Sequence, residues 1–504
     1  MHINRHYVLC EVERTRIEKE KLPWFWREMP IGREPVTMAA SQRLVDVLAG
    51  SEYADLPVPV ITDTKRAILD WLGSALAGAL EPPARLMHSV VARLGVSREA
   101  TVFAAGRSSA AGAALANGVA SHILELDDVH KGSTLHAAAA VIPAALAVAE
   151  REHVRGRSFL RGVALGYDAA LRIGEAVNPS HYRFWHPTGT AGTFGAAVAA
   201  SAVMQFNAAQ MLDALGNAGT QAAGLWEFNA DGAMSKHLHP GKAAFNGVLS
   251  ADLARAGFTG ARRILEGERG FFRAMSTSYD VTRITEGLGT AWKISENCYK
   301  LHSCCGHTHA AIDIALDVRS QRKWSAEDVF ANVADIHIQM YGPGYEIVKE
   351  SNPRSGAQAK FSIAYCVAAA LLEGRVGLEQ FSPERFTADG VRDPRFAAVL
   401  RCTKATVEED LTRKYPSAWP ARLALTLSDG SRVSGSSEYP RGNPELPLST
   451  RELEDKFLTL VEPRFGRDTA NSALQAVHTL EDCPEMATVF RDILPRDAEV
   501  PSRS

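Results

Sequence analysis

The sequence predicts a mainly α protein, with a large helical domain and a smaller α+β domain. Three observations carry this. Apolar residues recur at helical spacing almost without a break from Ser41 to about Gly289. Between 296 and 440 the texture changes to short alternating runs around an Asp429-Gly430 turn. A helix-start signal then returns after Pro447.

In chain order, Ser41 is expected to cap 42–48, and Thr62 and Asp63 to cap 64–80, where Ile68, Leu69, Leu72 and Leu76 share a face. Further helices are expected over about 110–127, 137–151, 157–177, 189–205, 208–223 and 242–256. Their Ala- and Gly-rich faces, as in Ala110-Ala111-Gly112-Ala113-Ala114, suit closely crossed helices. Val333–Met340 reads as a strand. Leu423, Leu425 and Leu427 lead into the D-G turn and 432–436, a hairpin signal, and a helix over 359–373 lies between. Ser449-Thr450-Arg451-Glu452 is a capping box opening a helix to about Leu460, and Asn471–Glu481 is a last helical candidate. These late helices are able to complete the first domain, which would make the α+β piece an insertion. The division is 1–37 extension, 38–295 helical, 296–440 α+β, 441–499 helical again and 500–504 a frayed tail.

The 504 residues allow two to four domains at roughly 150 residues each. With 46% hydrophobic and 22% charged residues the chain can bury a large core, which excludes general disorder. A net charge of −3 argues against a general nucleic-acid or anionic-membrane binder. Seven cysteines at irregular spacing fit a reducing, cytoplasmic setting. No apolar run reaches the roughly 20 residues of a membrane helix. Residues 1–37 are charged and lack an apolar signal core. They read as a poorly ordered extension, or as a start called too early, since Met38 precedes the first clear helix.

Eleven of the sixteen histidines fall between His122 and His309, mostly in local groups beside Gly- or Pro-containing turns. Any one of them is more often a satisfied structural histidine than a catalyst. The first group, LELDDVH followed by Thr134-Leu135-His136, sets Glu125, Asp127 and Asp128 beside His130 and His136. Carboxylates that orient an imidazole suit acid–base work near neutral pH. A water-facing acidic turn, or a metal site from Asp127, Asp128, His130 and His136, are the other readings. The second group, His186-Pro187-Thr188-Gly189, reads as an open helix N-terminus able to meet an anion. The third, KHLHPGK from Lys236 to Lys242, reads as a basic loop or a solvated turn. The fourth, KLHSCCGHTH from Lys300 to His309, lacks a second cysteine pair for a zinc knuckle and the separated cysteines of an iron–sulfur cluster. No phosphate-binding glycine loop and no G-x-S-x-G elbow occurs.

At these four groups the chain resembles the MmgE/PrpD family, which includes 2-methylcitrate dehydratase, cis-aconitate decarboxylase and iminodisuccinate epimerase. LELDDVH…STLHAAAAVIPAALAVAE, HPTGTAGTFGAAVAA, SKHLHPGKAA and YKLHSCCGHTHAAID carry it, with weaker agreement in ILEGERGFFRAM and FSIAYCVAAALLEG. The resemblance implies a helical domain built from both chain ends, an inserted α+β lid, a homodimer, and cofactor-free and metal-free chemistry on small di- or tricarboxylates. It makes His136 the acid–base residue, Glu125 and Asp127 its carboxylate partners, and His186 a second acid. Lys236 and Lys300 become the ammonium groups for an anionic substrate, with Cys305 and either Tyr341 or Tyr345 also in the pocket. A methylcitrate-type hydro-lyase is the leading expectation, and a decarboxylase or epimerase the alternative. A metal-dependent hydrolase or a non-catalytic carboxylate binder would be another class. The family usually has D-F-D-D-T where this chain has Glu125-Leu126-Asp127-Asp128-Val129. Cys305 stands where the aconitate decarboxylase branch has histidine, which counts mainly against that branch.

Overall fold

A computed structural model describes residues 40–95 and 97–490. The expectations for 1–37 and for 500–504 lie outside these residues. The fold is mainly α. The helices used below are α1 Ala40–Gly50, α2 Val58–Gly78, α3 Pro82–Leu94, α4 Ala110–His122, α5 Ala137–Arg151, α6 Gly156–Val177, α7 Pro187–Val203, α8 Ala208–Gly219, α9 Ser235–Arg255, α10 His309–Arg322, α11 Ile363–Glu373, α12 Thr450–Phe465 and α13 Arg467–His478. Among the described residues no helix is long and apolar enough to cross a membrane.

Helix α7 packs against α5, α6, α8 and α9, and α9 also crosses α4. These crossings are close because glycines face each other. A Cβ built on Gly118 of α4 would stand 2.7 Å from the Cα of Gly241 on α9. A methyl cannot occupy that space, so the crossing requires glycine on both helices.

The apolar interior forms two clusters. The larger joins α1–α9 to Leu448, Leu453, Phe457, Leu460, Val477 and Leu480 from the end of the chain. Helix α12 lies along α2, and its Lys456 donates to Asp70 Oδ1 (2.5 Å) and to the Leu126 carbonyl (2.7 Å). The smaller cluster collects residues from Cys298 to Val433 around a four-stranded sheet. Numbering strands of three or more residues, β1 Ala100–Val102 and β2 Gly106–Ser108 form a separate hairpin. The sheet holds β3 Val333–Met340, β4 Thr403–Val407, β5 Ala421–Leu427 and β6 Arg432–Ser437 in the order β4-β3-β5-β6. Pairing is parallel for β3–β4 and antiparallel elsewhere, with the D-G turn closing β5–β6. Helices α10 and α11 cover the sheet as neighbours, and α10 touches β5 and β6.

Several expected boundaries move. Helix α2 starts at Val58 behind Pro57, with Pro59 in its first turn, so Thr62 and Asp63 are interior rather than caps. Ser41 lies inside α1, and its hydroxyl bonds Glu266 Oε2 at 2.6 Å instead of capping. Helix α4 ends at His122, not near 127, and α8 ends at Gly219, not near 223. Helix α11 begins at Ile363 behind the Ser362 cap, not at 359. Helix α12 runs on to Phe465, and α13 starts four residues earlier than expected, at Arg467. The Ser449–Glu452 capping box opens α12.

Candidate active site

The loop 123–136 between α4 and α5 brings the chemistry together. Its start is fixed by the α4 C-terminus, where Lys360 Nζ donates to the carbonyls of Ile123 and Leu124 (3.1 Å each) and Ser303 Oγ donates to Leu124 (2.5 Å). Glu125 then takes a left-handed turn at φ +58°. Val129 exchanges both backbone hydrogen bonds with Cys298 at 2.9 Å, which lays the 298–305 segment, and hence Lys300, against the loop.

Glu125 is buried and paired with Lys236, and Lys300 Nζ lies 3.6 Å from its other oxygen. Lys300 Nζ is also 3.8 Å from Asp127 Oδ1. On the far side of Asp127, Oδ2 accepts from His122 Nδ1 at 2.6 Å and lies 3.4 Å from His136 Nδ1. Side chains far apart in the polypeptide thus form one continuous polar chain: Lys236, Glu125, Lys300, Asp127, His136. Burial alone would raise both acids, but the Lys236 and Lys300 ammoniums outweigh it for Glu125. For Asp127 the neighbouring His122, His136 and Lys300 do the same, so both stay ionised well below the usual carboxylate range. Lys300 is lifted in turn, burial being overcome by Asp127 and Glu125. Three buried atoms of this chain, Lys300 Nζ, Asp127 Oδ1 and His122 Nε2, find no hydrogen-bond partner among the described residues.

Both expected catalytic histidines are N-caps: His136 of α5 and His186 of α7. Lys236 stands in the first turn of α9. Helix N-termini carry partial positive charge, so they favour anions and disfavour a charged imidazole. Burial, abetted by the neighbouring cations, holds His136 and His186 well below the normal histidine range. His136 Nδ1 donates to the Asp128 carbonyl (2.6 Å), which leaves its Nε2 as the proton acceptor. The His122 and His136 rings meet edge to face at 4.8 Å, and His186 lies 5.6 and 6.1 Å from them.

An aromatic wall continues from His186. Trp226 sits 5.1 Å from His186 and 5.0 Å from Tyr182. The Tyr182 hydroxyl bonds His307 Nε2 at 3.1 Å, and His307 Nδ1 bonds the Tyr341 hydroxyl at 2.5 Å. Burial drives His307 down to about 3, so it works as a neutral ring between two phenols.

The chain matches the MmgE/PrpD N-terminal domain over residues 42–284 and the MmgE/PrpD C-terminal domain over residues 302–482. It belongs to the MmgE/PrpD family. Curated relatives include a cis-aconitate decarboxylase-like protein, oryM, of Aspergillus oryzae, 27% identical over 87% of this chain and 93% of its own length. Cis-aconitate decarboxylases of Aspergillus terreus and Homo sapiens are also 27% identical. They cover 84% and 92% of this chain, and 89% and 96% of their own lengths.

Within this family frame, the structure gathers His136, Glu125, Asp127, His186, Lys236 and Lys300 at one place. Cys305 is buried there too, its thiol pushed up to about 12 by burial, so it is a neutral wall and not a thiolate. Of the two tyrosines, Tyr341 reaches the His307 relay, while Tyr345 packs on the apolar interior of the smaller cluster. Three expectations need correction. Glu125 serves the lysines and not His136, whose ring is aimed by the Asp128 carbonyl and Asp127. KHLHPGK is no loop but the first turns of α9, with Pro240 inside the helix. The four residues weighed as one metal set divide: His130 turns to Ser133 and Glu296, and the Asp128 carboxylate to Tyr167 and Asn297. Sequence reasoning gave no role to His122, Tyr182 or Lys360. His122 ends an Ala-rich helix with no charged residue directly beside it in sequence, so only its five-residue spacing to Asp127 could have flagged it.

Proposed function

We propose that the protein is a cofactor-independent lyase acting on a small di- or tricarboxylate, with proton transfer beside a carboxylate as its central step. The observation that carries this reading is the buried Lys300 ammonium. Among the described residues it has no hydrogen-bond partner, and it flanks the same Asp127 carboxylate as His136. A substrate carboxylate would satisfy it, and Lys236 beside it would stabilise the negative charge that develops when the α-proton leaves. His136 Nε2 takes that proton. Glu125 and Asp127 hold the two lysine side chains in place.

Within this class we favour a hydro-lyase of the methylcitrate type. Dehydration needs a base for the carbon-bound proton and an acid for the departing hydroxide; neutral His136 is the base, and His186, 6.1 Å away, would become the acid once the negative charge of a bound di- or tricarboxylate offsets the cations around it. Decarboxylation is the second reading, favoured by the names of the relatives, and needs only one proton delivered to carbon. Cys305, at a position the decarboxylase branch fills with histidine, weighs against it. The α+β part would act as a lid over the helical part, and the protein would work as a homodimer in the cytoplasm. Its mass in solution tests the dimer.

The deciding experiment is incubation with a panel of di- and tricarboxylates in deuterated water, read by NMR. Water loss to an alkene supports the hydro-lyase, and bicarbonate release the decarboxylase. No change in any acid of the panel, with binding intact, would leave a carboxylate binder and overturn the enzyme reading.

A further inference from the structure

We propose that His122, His136 and His186 form a binding site for a borderline divalent cation such as Zn2+, and that the bound ion shuts the site off. Zinc sites with three imidazoles and one open position are a standard solution for this ion. Here one ring nitrogen from each histidine lies within 4.8 Å of the other two. The Nδ1 atoms are all engaged elsewhere: His122 with Asp127 Oδ2 (2.6 Å), His136 with the Asp128 carbonyl (2.6 Å) and His186 with His239 Nδ1 (3.0 Å). A carbonyl and an ionised carboxylate only accept, so His122 and His136 carry hydrogen on Nδ1, and Nε2 is the ring nitrogen left to ligate. His186 Nδ1 faces His239 Nδ1, so its Nε2 too is the ring nitrogen left to ligate. His122 Nε2 is buried and finds no partner among the described residues.

The outer contacts are those that metal-bound histidines use. A carboxylate, a backbone carbonyl and a neighbouring imidazole each engage one Nδ1 and fix the ring. Tetrahedral bonds of about 2.0–2.1 Å need ring nitrogens about 3.4 Å apart, so the rings must close by at most about 1.4 Å. Glu125 and Asp127 offset the charge of Lys236 and Lys300. His136 leaves 12% of its side chain open to solvent, which gives an ion a way in. The second histidine–carboxylate group, His130 with Glu175 and Glu296, is different. Lys293 Nζ already stands 3.0 Å from both acids and fills the cation's place.

Binding does not depend on the proposed lyase activity, whereas the shutdown does. Ligation consumes the His136 lone pair that would accept the substrate proton. Chelator-treated protein should therefore be titrated with Co2+ and followed by visible absorption, with Zn2+ as competitor. The expected result is one equivalent of Co2+ with intense tetrahedral bands, displaced by Zn2+. His122→Asn and His186→Asn should each lose at least about tenfold in affinity, and Asp127→Asn about 10–100-fold. His130→Asn should titrate like the parent protein. Thermal unfolding of each variant checks that it is folded, and either histidine variant alone suffices if the other is not. A pale octahedral spectrum, or tight binding that survives loss of His122 or of His186, would overturn the site. With a turned-over acid in hand, Zn2+ should inhibit and EDTA restore the rate; stimulation by Zn2+ would overturn the shutdown. If no acid turns over, the Co2+ titration still decides the site by itself.

Discussion

Two clusters of histidine, carboxylate and lysine hang on the same loop, 123–136, and they behave oppositely. His130, Glu175, Glu296 and Lys293 close on themselves as ion pairs, although Glu175 Oε2 too lacks a hydrogen bond among the described residues. Lys293 bridges both acids, His130 reaches Glu296 at 3.4 Å, and Glu296 leaves 48% of its side chain in water. His122, Glu125, Asp127, His136, Lys236 and Lys300 are nearly sealed from water, yet among the described residues they leave an ammonium, a carboxylate oxygen and an imidazole nitrogen without a hydrogen bond. The residue types are the same. Burial without completion separates a site from a surface clasp, because an unmet charge costs little in water and several kcal/mol inside.

The contrast can be broken in four ways, from the largest effect down. His136→Ala should lower turnover of the acid found by NMR by about 10²–10⁴-fold if the ring carries the proton. A rate within threefold of the parent would remove His136 from that role. Lys236→Met leaves Glu125 with an unbalanced buried charge and should cost about 3–5 kcal/mol in urea unfolding, with Glu125→Gln added on top restoring part of it. An additive double variant would show that the pair is not coupled.

Asp128 sharpens the comparison through pH. Burial raises it to about 7, against the pull of hydrogen bonds from Tyr167 and Asn297. Its folded value lies above its unfolded value of about 4, so the stabilisation is complete below pH 4 and is lost as pH rises through 7. The parent should therefore lose a few kcal/mol relative to Asp128→Asn between pH 5 and pH 8. Parallel urea midpoints for the two proteins would contradict this. Smallest of all, Glu296→Gln in the water-facing cluster should change stability by under about 1 kcal/mol and leave turnover alone.

What the sequence made legible follows from where local chemistry decides structure. Pro187 as a helix opener, the Ser449–Glu452 capping box and the Asp429-Gly430 hairpin are all local devices, and each lies where its residues place it. Pro240 misled because a proline reads as a break, whereas here it sits in the second turn of a helix that tertiary packing holds together. Strand β4 was missed because Thr403-Lys404-Ala405-Thr406-Val407 is half-buried along its length and shows no alternation. In the site, the acids and lysines of the local motifs were readable. The partnership of His122 with Asp127 and the relay Tyr182–His307–Tyr341 arise only where distant segments meet.

The Gly118–Gly241 contact has a bearing on how this scaffold could change its diet. His122 lies one turn beyond that contact on α4, and His237 one turn before it on α9. The contact therefore acts as a fulcrum between the helix ends that carry His122 and His237. Exchanging either glycine for alanine would pry the two rods apart and swing their tips, altering which acids fit although the altered residue never meets them. Selectivity in such a framework can drift through positions that a survey of the lining alone would pass over.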